Sequence, residues 1–291
     1  MSLRDQASKL RAMVRENFIH KQKAASGPRV IAVTSGKGGV GKTNLVVNLG
    51  IALAKLGQRV AILDADLGLA NVDVLLGINP PYSLYDILFG EKTINEIIVR
   101  GPLGISIVSG SSGVQDLANL DQQGRERLIA ALGYFNDHAD FVFIDTGAGI
   151  SRNVLGFVAA SEEVIVILTP EPTSLTDAYS LVKVLATYKV HSIVNLVVNR
   201  ALDEQEAQGT VNQFMAVVNK FLQIRINYIG SIYEDQVVRQ AVKSQAPFII
   251  QKPNSSASSG LNDIAGVLLG DKKRFGEGMG VFLGKLFRLF H

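Results

Sequence analysis

Two kinds of apolar spacing take turns along the chain. Residues 30–34, 59–63, 105–108, 141–145, 164–168, 193–198 and 228–232 are short runs in which most positions are apolar and many are β-branched. Runs of this length without polar alternation read as strands covered on both faces. Between them apolar residues recur at helical intervals. Leu45, Val46, Leu49, Ile51, Leu53 and Leu56 precede Gly57, and Leu128, Ile129, Ala131, Leu132 and Phe135 fall within 123–136. Further helical segments run to about Tyr188 and over 205–223, and the Ser-rich stretch 254–260 precedes a helix to about Leu269. Ser83 is placed to cap a short helix through Phe89, and Thr173 or Ser174 to cap the helix ending near Tyr188. Strand and helix in alternation predict an α/β fold: one doubly wound, mostly parallel sheet with helices on both faces.

The two ends break the pattern. Over 2–19, Leu3, Ala7, Leu10, Met13, Val14 and Phe18 stand near helical spacing among basic residues, and 20–28 is polar and closes on Ser-Gly-Pro. This predicts an N-terminal helix over 1–19, a linker over 20–28, the main α/β domain over 29–270 and a distinct tail over 271–291. In that tail Phe282, Leu283, Leu286, Phe287, Leu289 and Phe290 cover one arc at helical pitch, with Gly284, Lys285 and Arg288 opposite and Lys272-Lys273-Arg274 upstream. A core helix would also be apolar on one side. A terminal one behind a glycine hinge, with basic flanks, suits an anionic membrane interface, which assigns Phe282, Leu283, Leu286, Phe287 and Phe290 to lipid.

Composition narrows the chemistry. There is no cysteine, which removes disulfides, thiolate-held zinc and iron–sulfur clusters and is compatible with a reducing cytoplasm. No signal core and no run of about eighteen apolar residues occurs, so secretion and membrane spanning are not expected. The net charge of +3 is uneven: residues 1–29 carry seven Lys/Arg against two acids, 271–291 carry five against two, and the remainder carries 17 against 22. An acidic body with basic ends argues for terminal contacts with partners or membrane, and against a nucleic-acid-binding face.

The chemistry is concentrated after the first strand. Ser35-Gly36-Lys37-Gly38-Gly39-Val40-Gly41-Lys42-Thr43-Asn44 sets Gly36 four residues ahead of Gly41-Lys42-Thr43, between a strand and a helix. That is the phosphate-binding loop. Its glycines let backbone N–H groups wrap a polyphosphate, the helix adds its positive end, Lys42 reaches the β- and γ-phosphates, and the Thr43 hydroxyl ligates Mg²⁺. Lys37 adds a second cation beside the triphosphate. Two further strands end in acids. Asp64 and Asp66, two residues apart, could share one side, one toward the metal and one toward an attacking water. Asp145, closing 141–145 and followed by Thr146-Gly147-Ala148-Gly149-Ile150, sits where a Walker B carboxylate meets Mg²⁺. Asn199-Arg200 ends another strand, and the Asn199 amide offers the donor and acceptor that recognise an adenine edge.

Lys37-Gly38-Gly39-Val40-Gly41-Lys42-Thr43 resembles the deviant Walker A of the MinD/ParA ATPases. In that family, the resemblance implies, two subunits sandwich two ATP molecules and Lys37 crosses to the partner's nucleotide. It also makes 64–73 switch I with Asp66 orienting water, 145–150 switch II, and Asn199 a base contact. Three strings resemble the FlhG/FleN branch more narrowly: Asp5-Gln6-Ala7-Ser8-Lys9-Leu10-Arg11, the segment from Asp64 through Gly77, and Glu171-Pro172-Thr173-Ser174-Leu175-Thr176-Asp177-Ala178-Tyr179. Tyr233-Glu234-Asp235-Gln236 resembles the family's Pro-Glu-Asp-Gln segment with Tyr233 in place of proline. The branch implies a peripheral cytoplasmic ATPase switch using ATP/ADP and Mg²⁺. It forms a homodimer with ATP, controls flagellar number and placement, and works with flagellar switch-complex (C-ring) proteins. Asp5, Gln6, Ala7, Leu10 and Arg11 would stimulate the signal-recognition-type GTPase FlhF. A MinD cell-division regulator and a ParA-like DNA-segregation ATPase share the chemistry and remain the alternatives, separated by FlhF stimulation and by salt-sensitive duplex binding.

Overall fold

The computed structural model describes residues 27–66, 71–110, 120–270 and 276–290. The first half runs β1 (Arg29–Ser35), α1 (Lys42–Lys55), β2 (Val60–Ala65), α2 (Asn71–Leu76), α3 (Leu84–Leu88), α4 (Ile94–Ile97), β3 (Val99–Arg100) and β4 (Ser106–Ser109). Then follow α5 (Gln122–Leu132), α6 (Phe135–His138), β5 (Phe141–Ala148), α7 (Arg152–Ala160), β6 (Glu163–Leu168) and α8 (Pro172–Thr187). The rest comprises β7 (Ile193–Ala201), α9 (Glu204–Phe221), β8 (Arg225–Tyr233), α10 (Gln236–Lys243), α11 (Phe248–Gln251), α12 (Ser256–Gly270) and α13 (Gly278–Phe290).

The described strands form one sheet in the order β3-β4-β2-β5-β1-β6-β7-β8, parallel throughout except for the short β3 at one edge. The order reverses at β1, so the loop after β1 opens into the crevice where such sheets take ligands. Both faces of β1 are covered, as its unbroken apolar run requires. Ile31 and Val33 join α1 and α12 in one core cluster, whereas Val30 and Ala32 join two clusters on the opposite face with α5, α7, α8, α9 and α13. Arg29 is buried at the start of β1. Its guanidinium makes two bonds to the Glu163 carboxylate, 2.7 and 2.8 Å, and donates to the Leu268 carbonyl at the end of α12. A fork-on-fork pair of this kind satisfies the charges that burial would otherwise strand.

Three sequence expectations change. The helix expected over 123–136 is two helices, α5 and α6, and Ile129 faces outward while Leu128, Leu132 and Phe135 carry the packing. The helix expected to be capped by Thr173 or Ser174 starts at Pro172, whose fixed φ suits the first helical position; the Ser174 hydroxyl instead accepts from the Thr169 N–H, 3.0 Å.

The third change concerns the tail. From Gly276 the chain returns to the domain, and Phe282, Leu283, Leu286, Phe287 and Phe290, assigned to lipid from sequence, are all buried in one core cluster with Leu128, Leu132 and Phe157. An apolar stripe is satisfied wherever it first finds an apolar groove, and here α5 and α7 supply one within the same chain. Gly27 and Gly276 pair reciprocally, 3.1 and 2.8 Å, and the Met279 N–H at the start of α13 donates to Asn136 Oδ1, 2.9 Å. Side chains cannot enter this crossing: a Cβ on Gly27 would lie 2.5 Å from the Gly278 Cα. The candidate partner residues Asp5, Gln6, Ala7, Leu10 and Arg11 lie outside the described residues, as do 67–70 and Lys272-Lys273-Arg274.

Candidate active site

The loop between β1 and α1 takes its shape from three glycine constraints. Gly39 and Gly41 have φ of 78° and 100°, the left-handed region that side chains disfavour. Gly36 is needed for a different reason, because a Cβ there would lie 2.1–2.5 Å from the Asp177–Ala178 backbone of α8. Added Cβ atoms on Gly38 and Gly39 would meet nothing within 4 Å, so this stretch of backbone faces open space. Val40 is buried and anchors the loop. Gly41 gives the first turn of α1 no side-chain cap, leaving its N–H groups to an anion.

Lys42 opens α1, buried, and its Nζ donates to the Ser35 hydroxyl at 3.2 Å. Burial pushes this amine below its ordinary range, against the opposing pull of Asp145 and Asp66. A cation held in place with so few partners is preorganised for phosphate oxygens.

The acids arrive by strand register. Asp64 on β2 is paired with Asp145 on the adjacent parallel β5, and Asp145 in turn with Val33 of β1, so both carboxylates stand beside the phosphate loop. They do different work. Asp64 accepts the Asp66, Asn71 and Val72 N–H groups at 3.1, 3.0 and 3.2 Å, capping α2. Both of its oxygens thereby hold the backbone of switch I. Desolvation still pushes its carboxyl up to about 6. Among the described residues neither oxygen of Asp145 has a geometrically sound hydrogen-bond partner, although the Thr43 hydroxyl lies close enough to lower its pKa. Desolvation and then the Asp64 charge push Asp145 up to about 8. A buried carboxylate so exposed to repulsion needs a cation, and Thr43 with Asp145 fits Mg²⁺ completed by phosphates and water.

Asp66 turns toward switch II. The Asn71 amide donates to its Oδ2 at 3.2 Å, and its Oδ1 stands 3.4 Å from where a Gly147 Cβ would be. Lys37 Nζ donates to Glu171 Oε2 at 2.9 Å and Thr173 Oγ1 at 3.0 Å within its own chain, and this ammonium holds the Glu171 carboxyl below its usual range. The Asn199 amide donates to the Val40 carbonyl at 2.7 Å, bracing the phosphate loop, while Arg200 takes a left-handed φ of 61°. Asp235 caps α10 through the Val237 N–H and accepts from Ser256 Oγ.

The structure thus brings the loop, Lys42, Thr43, Asp66 and Asp145 together as the sequence predicts, and adds contacts that the spacing did not predict: Ser35 to Lys42, Asn71 to Asp66, and Glu171 and Thr173 to Lys37. Glu171 and Thr173 stood in a string already noted for its wording; the polar pair beside Pro172 was the available signal.

A doubly wound sheet with a glycine loop at its switch point, a buried lysine and carboxylates from two flanking strand ends defines a phosphate-loop ATPase. Residues 28–199 match the family model described as an AAA domain. The chain is 42% identical to the antiactivator FleN of Pseudomonas aeruginosa over 84% of its length and 88% of that protein. It is 32% identical to the flagellum site-determining protein YlxH of Helicobacter pylori, over 83% of its length and 82% of that protein. Among solved structures, the MinD cell division protein of Aquifex aeolicus superposes with a TM-score of 0.67 at 27% identity, covering 84% of this chain and 98% of that one. MinD of Pyrococcus horikoshii, complexed with Mg-ADP, gives 0.65 at 25% identity over 84% and 96%. The chain belongs to the FlhG/FleN family of MinD/ParA-type ATPases and hydrolyses ATP.

Proposed function

We propose that the chain is an ATP-driven switch that sets flagellar number and placement. The observation that carries this reading is the convergence of Lys42, Thr43, Asp66 and Asp145 on one phosphate loop in a chain related to FleN and YlxH. The loop N–H groups and Lys42 bind the triphosphate. Thr43 and Asp145 hold Mg²⁺, which supplies charge neutralisation at the transferring phosphoryl group. Asp66, steadied by Asn71, orients the attacking water, with 3.2 Å between the Asn71 amide and its carboxylate. Lys37 exchanges its Glu171 and Thr173 partners for the partner subunit's nucleotide when ATP drives homodimerisation.

The output is at the ends of the chain. α13 leaves its groove in the ATP dimer and its Phe282, Leu283, Leu286, Phe287 and Phe290 face enters the anionic inner surface of the cell membrane, where two weak helices on one dimer bind by avidity. The proposed attachment is peripheral; among the described residues no helix is long and apolar enough to cross a membrane. The element at Asp5, Gln6, Ala7, Leu10 and Arg11 stimulates an FlhF-type GTPase, and C-ring proteins receive the signal.

The test is ATP turnover with Asp66→Ala. Loss of phosphate release with retained nucleotide binding supports the assignment, and an unchanged rate removes the mechanism. Size measurement with ATP, ADP and no nucleotide, repeated with Lys37→Ala, separates a sandwich dimer from a monomeric scaffold. Stimulation of FlhF separates this role from cell-division control.

A further inference from the structure

Switch II and the docked helix α13 meet at one side chain. β5 runs out through Asp145 into Gly147, Gly149 with its φ of 86° and the exposed Ile150, and Ser151 then caps α7 by accepting the Val154 N–H. The first residue of α7 is Arg152. Its Nη2 donates to the Phe290 carbonyl at the carboxyl end of α13, 2.7 Å, and its guanidinium lies 5.7 Å from the centroid of the Phe290 ring. A cation at a helix carboxyl end satisfies an orphan carbonyl and complements the helix dipole, while the ring adds a cation–π contact. One turn further along, Gly156 admits the Phe290 ring, which would stand 2.8 Å from an added Cβ. Phe157 stacks on Phe282 at 6.4 Å.

The same short helix thus begins in the γ-phosphate sensor and forms one wall of the groove that hides the apolar face of α13. Among the described residues Arg152 Nε is buried without a partner, so the guanidinium sits in this place with incomplete compensation. Such an arrangement stays put only while both the start of α7 and the end of α13 remain where they are.

We propose that Arg152 is the relay between nucleotide and tail: a positioning residue that fastens the carboxyl end of α13 while switch II holds its present conformation. When bound ATP draws Gly147 and Gly149 toward the γ-phosphate, the start of α7 shifts, the Arg152–Phe290 bond is lost, and α13 is released from its last turn backward. The inference rests on the ATP-switch reading above and names the part that transmits it. Linkage makes the device reciprocal, so a membrane that captures α13 also biases switch II toward its ATP conformation.

The native chain has no cysteine, so a single Leu283→Cys reports burial of α13 by its rate of thiol modification without background. The rate is measured with and without Mg-ATP in Asp66→Ala, which blocks turnover, and again with Arg152→Ala and Arg152→Lys added. We expect ATP to raise the rate roughly ten-fold or more with Arg152 present, equivalent to a coupling of about 1.4 kcal/mol. With Arg152→Ala the nucleotide-free rate rises and the ATP-to-apo ratio falls toward one, while ATP affinity is retained. Arg152→Lys, which keeps a cation at the helix end, restores part of the ratio. If Arg152→Ala raises both rates equally and leaves the ratio intact, Arg152 is only a fastener and the relay is overturned. A ratio near one with Arg152 present overturns the ATP-release reading itself, and the relay with it.

Discussion

At the scale of single residues, the active site trades stability for ligand affinity. Asp145, pushed up to about 8 by burial and by Asp64, costs the nucleotide-free fold stability that accumulates between about pH 4 and pH 8, where the unfolded chain is ionised and the folded carboxyl is still protonated. Asp145→Asn should therefore stabilise the nucleotide-free protein at pH 8 by more than about 1.4 kcal/mol, the worth of one unit of pKa displacement. The same change should abolish the added stabilisation by Mg-ATP. Denaturant titration with and without Mg-ATP tests both halves, and a destabilised variant would mean the carboxylate is already compensated. Gly36 makes the opposite point. Its hydrogen faces the α8 backbone where a Cβ would sit 2.1 Å from the Asp177 carbonyl carbon, so Gly36→Ala should cost about 1–3 kcal/mol of stability as well as nucleotide affinity. Wild-type stability in Gly36→Ala would show that α8 can yield. A Gly-x-x-x-x-Gly-Lys-Thr pattern explains Gly36 by phosphate access; the fold adds the helix crossing behind it.

At the scale of elements, register decides function. Asp64 and Asp66 are two residues apart and looked like partners on one side, yet Asp64 accepts three backbone N–H groups and Asp66 faces Gly147. That division was not legible because it depends on how the chain leaves β2, where α2 begins only at Asn71. The turn before β7 shows a second dependence. His191 Nε2 bonds to the Val158 carbonyl of α7 at 2.8 Å, and desolvation lowers this imidazole's pKa below its ordinary 6.5. Among the groups facing it, Lys285 adds to the lowering and Glu163 opposes it. The unfolded chain thus takes up the proton first as pH falls. The contribution of His191 is present above about pH 6.5 and is lost on acidification. Unfolding measured between pH 7 and pH 5 should show stability falling, with a shallower fall in His191→Gln. Equal slopes in the two proteins would assign the effect to other groups.

At the scale of the whole molecule, α13 belongs to the core in the conformation seen. Each fully buried Leu or Phe contributes about 1.5–3 kcal/mol, so five such side chains are comparable with the whole stability of an ordinary domain, about 5–15 kcal/mol. Deleting residues 276–291 should lower the thermal midpoint and cause aggregation through the uncovered groove at Leu128, Leu132 and Phe157. A truncated protein as soluble and stable as the full chain would make α13 an appendage. The same arithmetic bears on release: under the proposed switch, ATP need only raise the small undocked fraction of α13, and a membrane that receives the apolar face would carry release to completion.

By itself the sequence determined the layered α/β architecture, the phosphate loop, the switch acids and the family. Those features are local: apolar runs of strand length, helical periodicity, and glycines and charges at fixed spacing. Only the tertiary structure decided that Asp64 holds the backbone after β2, that Asn199 braces the loop, that Lys37 rests on Glu171 and Thr173, and that the apolar tail is docked. Each of those outcomes depends on which distant group comes within about 3 Å of another, and one amphipathic pattern serves lipid or core equally well.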